Sequence, residues 1–201
     1  MRRVARTGRW LVGAAVALGA LGLTAAASRA EPFQAGAKEL ALVAGYSLSH
    51  NELVGNVDTL NAYHVLPHVG YFLTDESGRG WLRGNLELVT EPTLLVIEGQ
   101  ETTTLAGVTV LSRWVFAGTG RVRPYFEAGG GVLAGSLRLR ETRCHVTFAL
   151  QGGIGALVFV SERTAITAGY RFHHLSNGNT CDGNPGLDSS MFVLGVSRFF
   201  P

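Results

Sequence analysis

His174 and Ser176 stand two residues apart in the run Tyr170-Arg171-Phe172-His173-His174-Leu175-Ser176-Asn177. Side chains of a β-strand alternate between its faces, so residues i and i+2 share one. A serine hydroxyl is a weak nucleophile until a neighbouring base takes its proton, and imidazole is the usual base. The pair therefore has the makings of an acyl-transfer site. Parity groups Ile166, Ala168, Tyr170 and Phe172 with it, whereas Thr167, Gly169 and Arg171 take the other face. In a membrane barrel the apolar face meets lipid and the polar face meets the lumen. His174 and Ser176 are thus expected on the lipid side, where a hydrolase of membrane lipids needs them. His173 has the opposite parity and is expected at the rim or in the lumen, which makes it the weaker candidate for the base.

The elements that must position this pair are strands. Eight segments have strand character: Ala37 to His50, Thr59 to Thr74, Gly80 to Glu91, Thr102 to Ala117, Arg123 to Ser136, His145 to Val160, Thr164 to His174 and Ser189 to Phe200. Their lengths suit tilted membrane-crossing strands better than those of a soluble sheet. An even number of such strands, eight being the smallest common size, predicts an all-β fold: an eight-stranded antiparallel outer-membrane β-barrel. In the last segment Phe192, Leu194 and Val196 share a face, and in the third Leu86 and Leu88 alternate with Asn85 and Glu87. Charge is costly in lipid, so the second set is expected to point inward. The longer connections, His50 to Asp58, Pro92 to Glu101, Ser136 to Cys144 and Ser176 to Asp188, alternate with short ones. With the N-terminus in the periplasm the longer set falls outside the cell, and the His174 end of its strand lies near the outer rim.

Composition is consistent with an exported barrel. Arg2, Arg3, Arg6 and Arg9 precede an apolar stretch from Trp10 to Ala27, and Ser28-Arg29-Ala30 offers small residues for cleavage before Glu31. Residues 1–30 are expected to be a cleaved secretory signal and residues 31–201 one barrel domain. Removing the five signal arginines from the formal charge of +2 leaves −3. No basic footprint supports nucleic-acid binding. The two cysteines, Cys144 and Cys181, fall in connections on the same expected rim, where export permits a disulfide between them. His64 and His68, four apart on a strand, do not form a compact metal pair, and no metal or organic cofactor is implied. The sequence leaves the oligomeric state open, a homodimer included.

A carboxylate would complete the site by fixing the imidazole tautomer. Asp188 shares parity with Phe192, Leu194 and Val196. If the last two strands are antiparallel neighbours, it lies beside His174 and Ser176. Asp182, in the same connection, is the rival.

The segment His174-Leu175-Ser176-Asn177, followed by Asn184-Pro185-Gly186-Leu187-Asp188, resembles the active-site region of the PagL-type lipid A 3-O-deacylases, an acyloxyacyl hydrolase-like family. The likeness is strongest over residues 166–200, and Pro124-Tyr125-Phe126-Glu127-Ala128-Gly129 is also similar to family sequence. The resemblance implies an eight-stranded outer-membrane esterase acting on lipid A. Ser176 would be its nucleophile, His174 its base and Asp188 its acidic member, where the best-known members carry Glu. An ester hydrolase also needs donors for a developing oxyanion. Asn177, Asn179 and Asn184 are candidates, and Asn184 with the backbone N–H of Asn179 is the favoured pair. Two other readings stand beside this one: a non-catalytic small barrel, and a phospholipase or acyltransferase using the same triad on another membrane lipid.

Overall fold

The structure is a computed structural model that describes residues 33–50, 60–99, 102–139, 142–182 and 186–201, with backbone alone over 136–144. The expected signal sequence lies outside the described residues. Eight strands run in chain order: β1 (Lys38–Ser49), β2 (Asn61–Phe72), β3 (Gly84–Glu98), β4 (Thr103–Phe116), β5 (Val122–Leu139), β6 (Thr142–Phe159), β7 (Thr164–Ser176) and β8 (Leu187–Phe200). Each pairs antiparallel with its neighbours, and β8 pairs with β1 to close the barrel. Closure leaves no strand edge unpaired, the condition for a sheet to stand in lipid.

Alternation sets the two surfaces. Leu42, Val69, Leu94, Val108, Val132, Leu150, Ile154, Leu194 and Val196 point outward and are exposed, as a lipid-facing band requires. Inside, Arg113 binds Glu39 at 2.8 Å and Glu127 at 3.0 Å, and Arg171 binds Glu127 at 2.7 Å and Glu91 at 2.8 Å. His68 Nε2 adds a 2.7 Å contact to Glu91. These charges are buried, so their mutual bonds must replace the water they lose. The guanidinium of Arg113 also stacks over Tyr125, 4.7 Å from the ring centroid. Apolar layers close the network from both sides. Phe33, Phe72, Phe159 and Phe199 pack at the end where β1 begins and β8 finishes. Leu60, Leu95, Leu105, Leu133, Leu175 and Leu187 fill the opposite end. The lumen is a packed core.

The strand boundaries correct three expectations. Strand β3 does not stop before Pro92 but runs on to Glu98. A proline in a strand interior removes a ladder bond, which makes it read as a breaker. Here Pro67 and Pro92 face each other: the β2–β3 register passes from Val65↔Leu94 to Val69↔Thr90 with both prolines in the gap. One interruption thus accommodates two missing donors, while Pro92 still pairs with Val108 on its other side. Second, β5 and β6 each have 18 residues and run three residues further toward their shared turn than expected. The connection expected over Ser136 to Cys144 shrinks to residues 140–141, and that over Pro92 to Glu101 shrinks to residues 99–102. Third, the stretch from Gly80, expected to open a strand, forms a 3-10 turn over Gly80–Leu82. Two longer connections remain between strand ends, residues 50–60 and 177–186, of which residues 51–59 and 183–185 lie outside the described residues.

Candidate active site

Strands β7 and β8 place the expected residues. Their register sets His174 opposite Asp188 and Phe172 opposite Ser190. Directly opposed residues in an antiparallel pair have their side chains on the same face. The contact formed is close: His174 Nδ1–H donates to Asp188 Oδ1 at 2.6 Å. This bond leaves Nε2 as the basic nitrogen and fixes the ring plane. The two side chains retain 31% and 20% exposure, so the pair opens to the surface and is not sealed in the core. Ser176 is the next outward residue of β7 and is half-buried. Among the described residues no hydrogen bond joins it to His174. Adjacent same-face residues lie about 7 Å apart at Cα, and the nucleophile–base contact commonly tightens only around substrate.

The other expected residues separate. His173 points into the lumen, buried, with its ring 5.4 Å from that of His64. Asp182 is exposed, and among the described residues the carboxylate bonded to the imidazole is that of Asp188. Asn177 is buried and shapes the loop: its Oδ1 accepts the Asn179 N–H at 2.8 Å, and its Nδ2 donates to Cys181 O at 3.3 Å. The Asn177 amide and the Asn179 N–H, both oxyanion candidates, are thus engaged within the loop, the latter in an Asx turn. Asn179 itself adopts φ 61°, a left-handed conformation that asparagine tolerates. Asn184 lies outside the described residues. Cys181 is disulfide-bonded, while the side chain of Cys144, its expected partner, lies outside the description. His64 and His68 both point inward and are taken up separately, His64 by Ser47 at 2.9 Å and His68 by Glu91.

Several contributors carried no recognised signal. Gly186 has φ +66°, and a Cβ there would sit 3.1 Å from His174 Cε1. It seats the loop against the imidazole, and only its place in Asn184-Pro185-Gly186 hinted at this. A second hydrogen-bonded group lies on the same outer face. Ser190 Oγ is 2.9 Å from His50 Nε2 and 3.0 Å from the Tyr170 hydroxyl. Ser190 is the next outward residue after Asp188, whereas His50 directly follows β1, far away in sequence.

Outward residues beside the pair leave a shallow trough. Across the sheet from Phe172 the register runs through Gly152 and Ala128 to Ser112. Bulkier Leu150 and Ile154 flank this row. A Cβ added to Gly152 would meet nothing closer than 3.9 Å, so the space above it is open.

A family model described as Lipid A 3-O-deacylase (PagL) matches residues 39–197. The chain belongs to the PagL family. The match spans the barrel from β1 to the end region of β8, the candidate site included. The PagL family is one of ester hydrolases of lipid A, which places this barrel in the outer membrane. The crystal structure of the outer-membrane enzyme PagL superposes with a TM-score of 0.59 at 18% identity, covering 78% of this chain and 97% of that one. Neisserial surface protein A gives 0.60 at 18% identity, covering 82% and 99%. The N-terminal barrel domain of Pseudomonas aeruginosa OprF gives 0.51 at 16%, covering 83% and 98%. Such likenesses show the fold alone, and a surface protein superposes as well as an enzyme does. No curated protein matches the chain.

Proposed function

We propose that this barrel removes the 3-O-linked acyl chain of lipid A by a Ser176–His174–Asp188 mechanism. The observation that carries this reading is the 2.6 Å bond from His174 Nδ1–H to Asp188 on the lipid-facing side of a PagL-family chain, with Ser176 the next outward residue. Ser176 Oγ attacks the ester carbonyl as His174 Nε2 takes its proton. Asp188 holds the imidazole and stabilises the imidazolium that forms. The carbonyl–sugar oxygen bond breaks, and His174 returns its proton to the departing sugar hydroxyl. Water, activated by the same imidazole, then attacks the acyl-enzyme, frees a 3-hydroxy fatty acid and restores Ser176. No cofactor enters.

Placement on the outer wall lets substrate arrive sideways from the bilayer. The trough of Gly152, Ala128 and Ser112 supports this, because it offers a bed for an acyl chain beside the catalytic pair. The deciding experiment is mass spectrometry of lipid A from cells producing the wild type or Ser176→Ala, with barrel folding checked by heat-modifiable mobility. Loss of one 3-hydroxyacyl mass with the wild type only is the expected result. Equal deacylation by a folded Ser176→Ala protein would sink the assignment. Gain of an acyl chain on an acceptor lipid would indicate an acyltransferase instead.

A further inference from the structure

We infer that His50, Ser190 and Tyr170 form a clamp that holds Asp188 against His174, making them positioning residues for the hydrolysis proposed above, on which this inference rests. The three side chains come from β8, β7 and the residue that follows β1. Ser190 Oγ sits in the middle, 2.9 Å from His50 Nε2 and 3.0 Å from the Tyr170 hydroxyl. A hydroxyl can donate to one partner while accepting from the other. His50 is attached twice, since its backbone N–H donates to Asp188 O at 2.8 Å. Its ring lies over the same surface, 6.1 Å from the ring of Phe172. Phe172 is the residue opposite Ser190.

The clamp has a mechanical reason. Strand β8 begins at Leu187, so Asp188 sits on the first rungs of the strand, just after the connecting loop. Terminal rungs fray first. A carboxylate on such a rung would drift from the imidazole unless the strand were tied on both sides. The His50 main-chain bond ties it to β1, and the Ser190–Tyr170 bond ties it to β7. Desolvation points the same way. A hydroxyl and an imidazole on a lipid-facing wall are costly unless mutually bonded. Apolar residues would fill these positions on a wall that only had to meet lipid, as Phe192 and Leu194 do on the next outward turns.

The test uses the full mature barrel in detergent. The rate at which a fluorophosphonate probe labels Ser176 is measured beside kcat and KM for lipid A hydrolysis. Ser190→Ala and His50→Ala are expected to slow labelling and kcat about tenfold each, with KM unchanged, because a misplaced acid weakens the base without altering substrate binding. Ser190→Thr keeps the hydroxyl and should restore most of the rate. In an Asp188→Asn background, Ser190→Ala should change labelling by less than about twofold, since residues acting through one another are not additive. Unaltered labelling in folded Ser190→Ala, a rise in KM alone, or full additivity with Asp188→Asn would overturn the clamp. A wild-type protein whose Ser176 takes no probe would instead remove the serine mechanism itself, and the clamp with it. A labelled protein that leaves lipid A intact would fault only the substrate, and the labelling comparison would still decide the clamp.

Discussion

Two serine–histidine pairs of the barrel invite comparison, Ser47–His64 in the lumen and Ser176–His174 on the outer wall. Ser47 Oγ lies 2.9 Å from His64 Nε2, a better-formed contact than the one between Ser176 and His174. Yet the lumenal pair has no means of reacting. It is buried beneath the leucine layer that includes Leu60, Leu95 and Leu187. Among the described residues no carboxylate bonds to its imidazole. The outer pair has the opposite character: an imidazole oriented by Asp188, partial exposure and a serine not yet committed to a partner. The lumenal charges repeat the lesson. Arg113 and Arg171 are each ion-paired to buried glutamates that link several strands across the lumen. The lumenal charges are buried and turned on one another, whereas the outer imidazole keeps Nε2 without a partner among the described residues and stays partly exposed.

The contrast can be broken by substitution. The largest effect should come from Ser176→Ala, which is expected to lower deacylation by about 10⁴-fold while the barrel unfolds at an unchanged urea concentration. Ser47→Ala, by comparison, should leave turnover intact in the same assay. The reverse pattern is expected in the lumen. Arg113→Ala strands Glu39 and Glu87 without their cation and leaves Glu127 to Arg171 alone, and unfolding from vesicles should show a loss of about 3–5 kcal/mol. Specific activity per folded molecule should stay near that of the wild type; a collapse of kcat in the folded fraction would mean that the network serves catalysis. A smaller effect is expected for Gly186→Ala. Its Cβ meets the His174 ring and demands a left-handed backbone from alanine. Turnover should fall about tenfold with little change in stability. Smallest of all, Asp182→Asn should leave turnover unchanged, and a loss comparable to that of Asp188→Asn would return the acid's role to the exposed rival.

Gly152 sharpens the picture of access from lipid. Replacing it by leucine fills the open space of the trough on the lipid side and touches no lumenal residue. The expected outcome is a raised KM for lipid A with unchanged labelling of Ser176 by a small fluorophosphonate. Equal losses in both would place the defect at the catalytic pair and remove the trough from the substrate path.

Much of this molecule was readable along the chain because a period of two carries so much information. Alternation put His174 and Ser176 outward and His173 inward, and the burial of His173 agrees. It also sent Glu87 and Arg171 to the lumen. The parity of Asp188 with Phe192 sufficed to bring it to His174 once β7 and β8 paired. What failed along the chain were boundaries. Pro92 carries a breaker signal that only its opposition to Pro67 neutralises. Polar residues over 136–144 read as a loop, although the hairpin of β5 and β6 carries them onward as strand.

By itself, then, the sequence determined the strand count, the faces of the residues in β3, β7 and β8 whose alternation is clear, and the parity that sets His174, Ser176 and Asp188 on one wall. These follow from local periodicity and from a hairpin between adjacent strands. Tertiary structure alone decided what comes from barrel closure. His50 reaches Ser190 only because β1 pairs with β8, across 140 positions of chain. The Asn177 amide is drawn into its own loop, and Gly186 is pressed to the imidazole, by loop geometry that no periodicity encodes. Pairing partners distant in sequence are chosen by the closure of the whole sheet, and a pattern read two residues at a time cannot contain that choice.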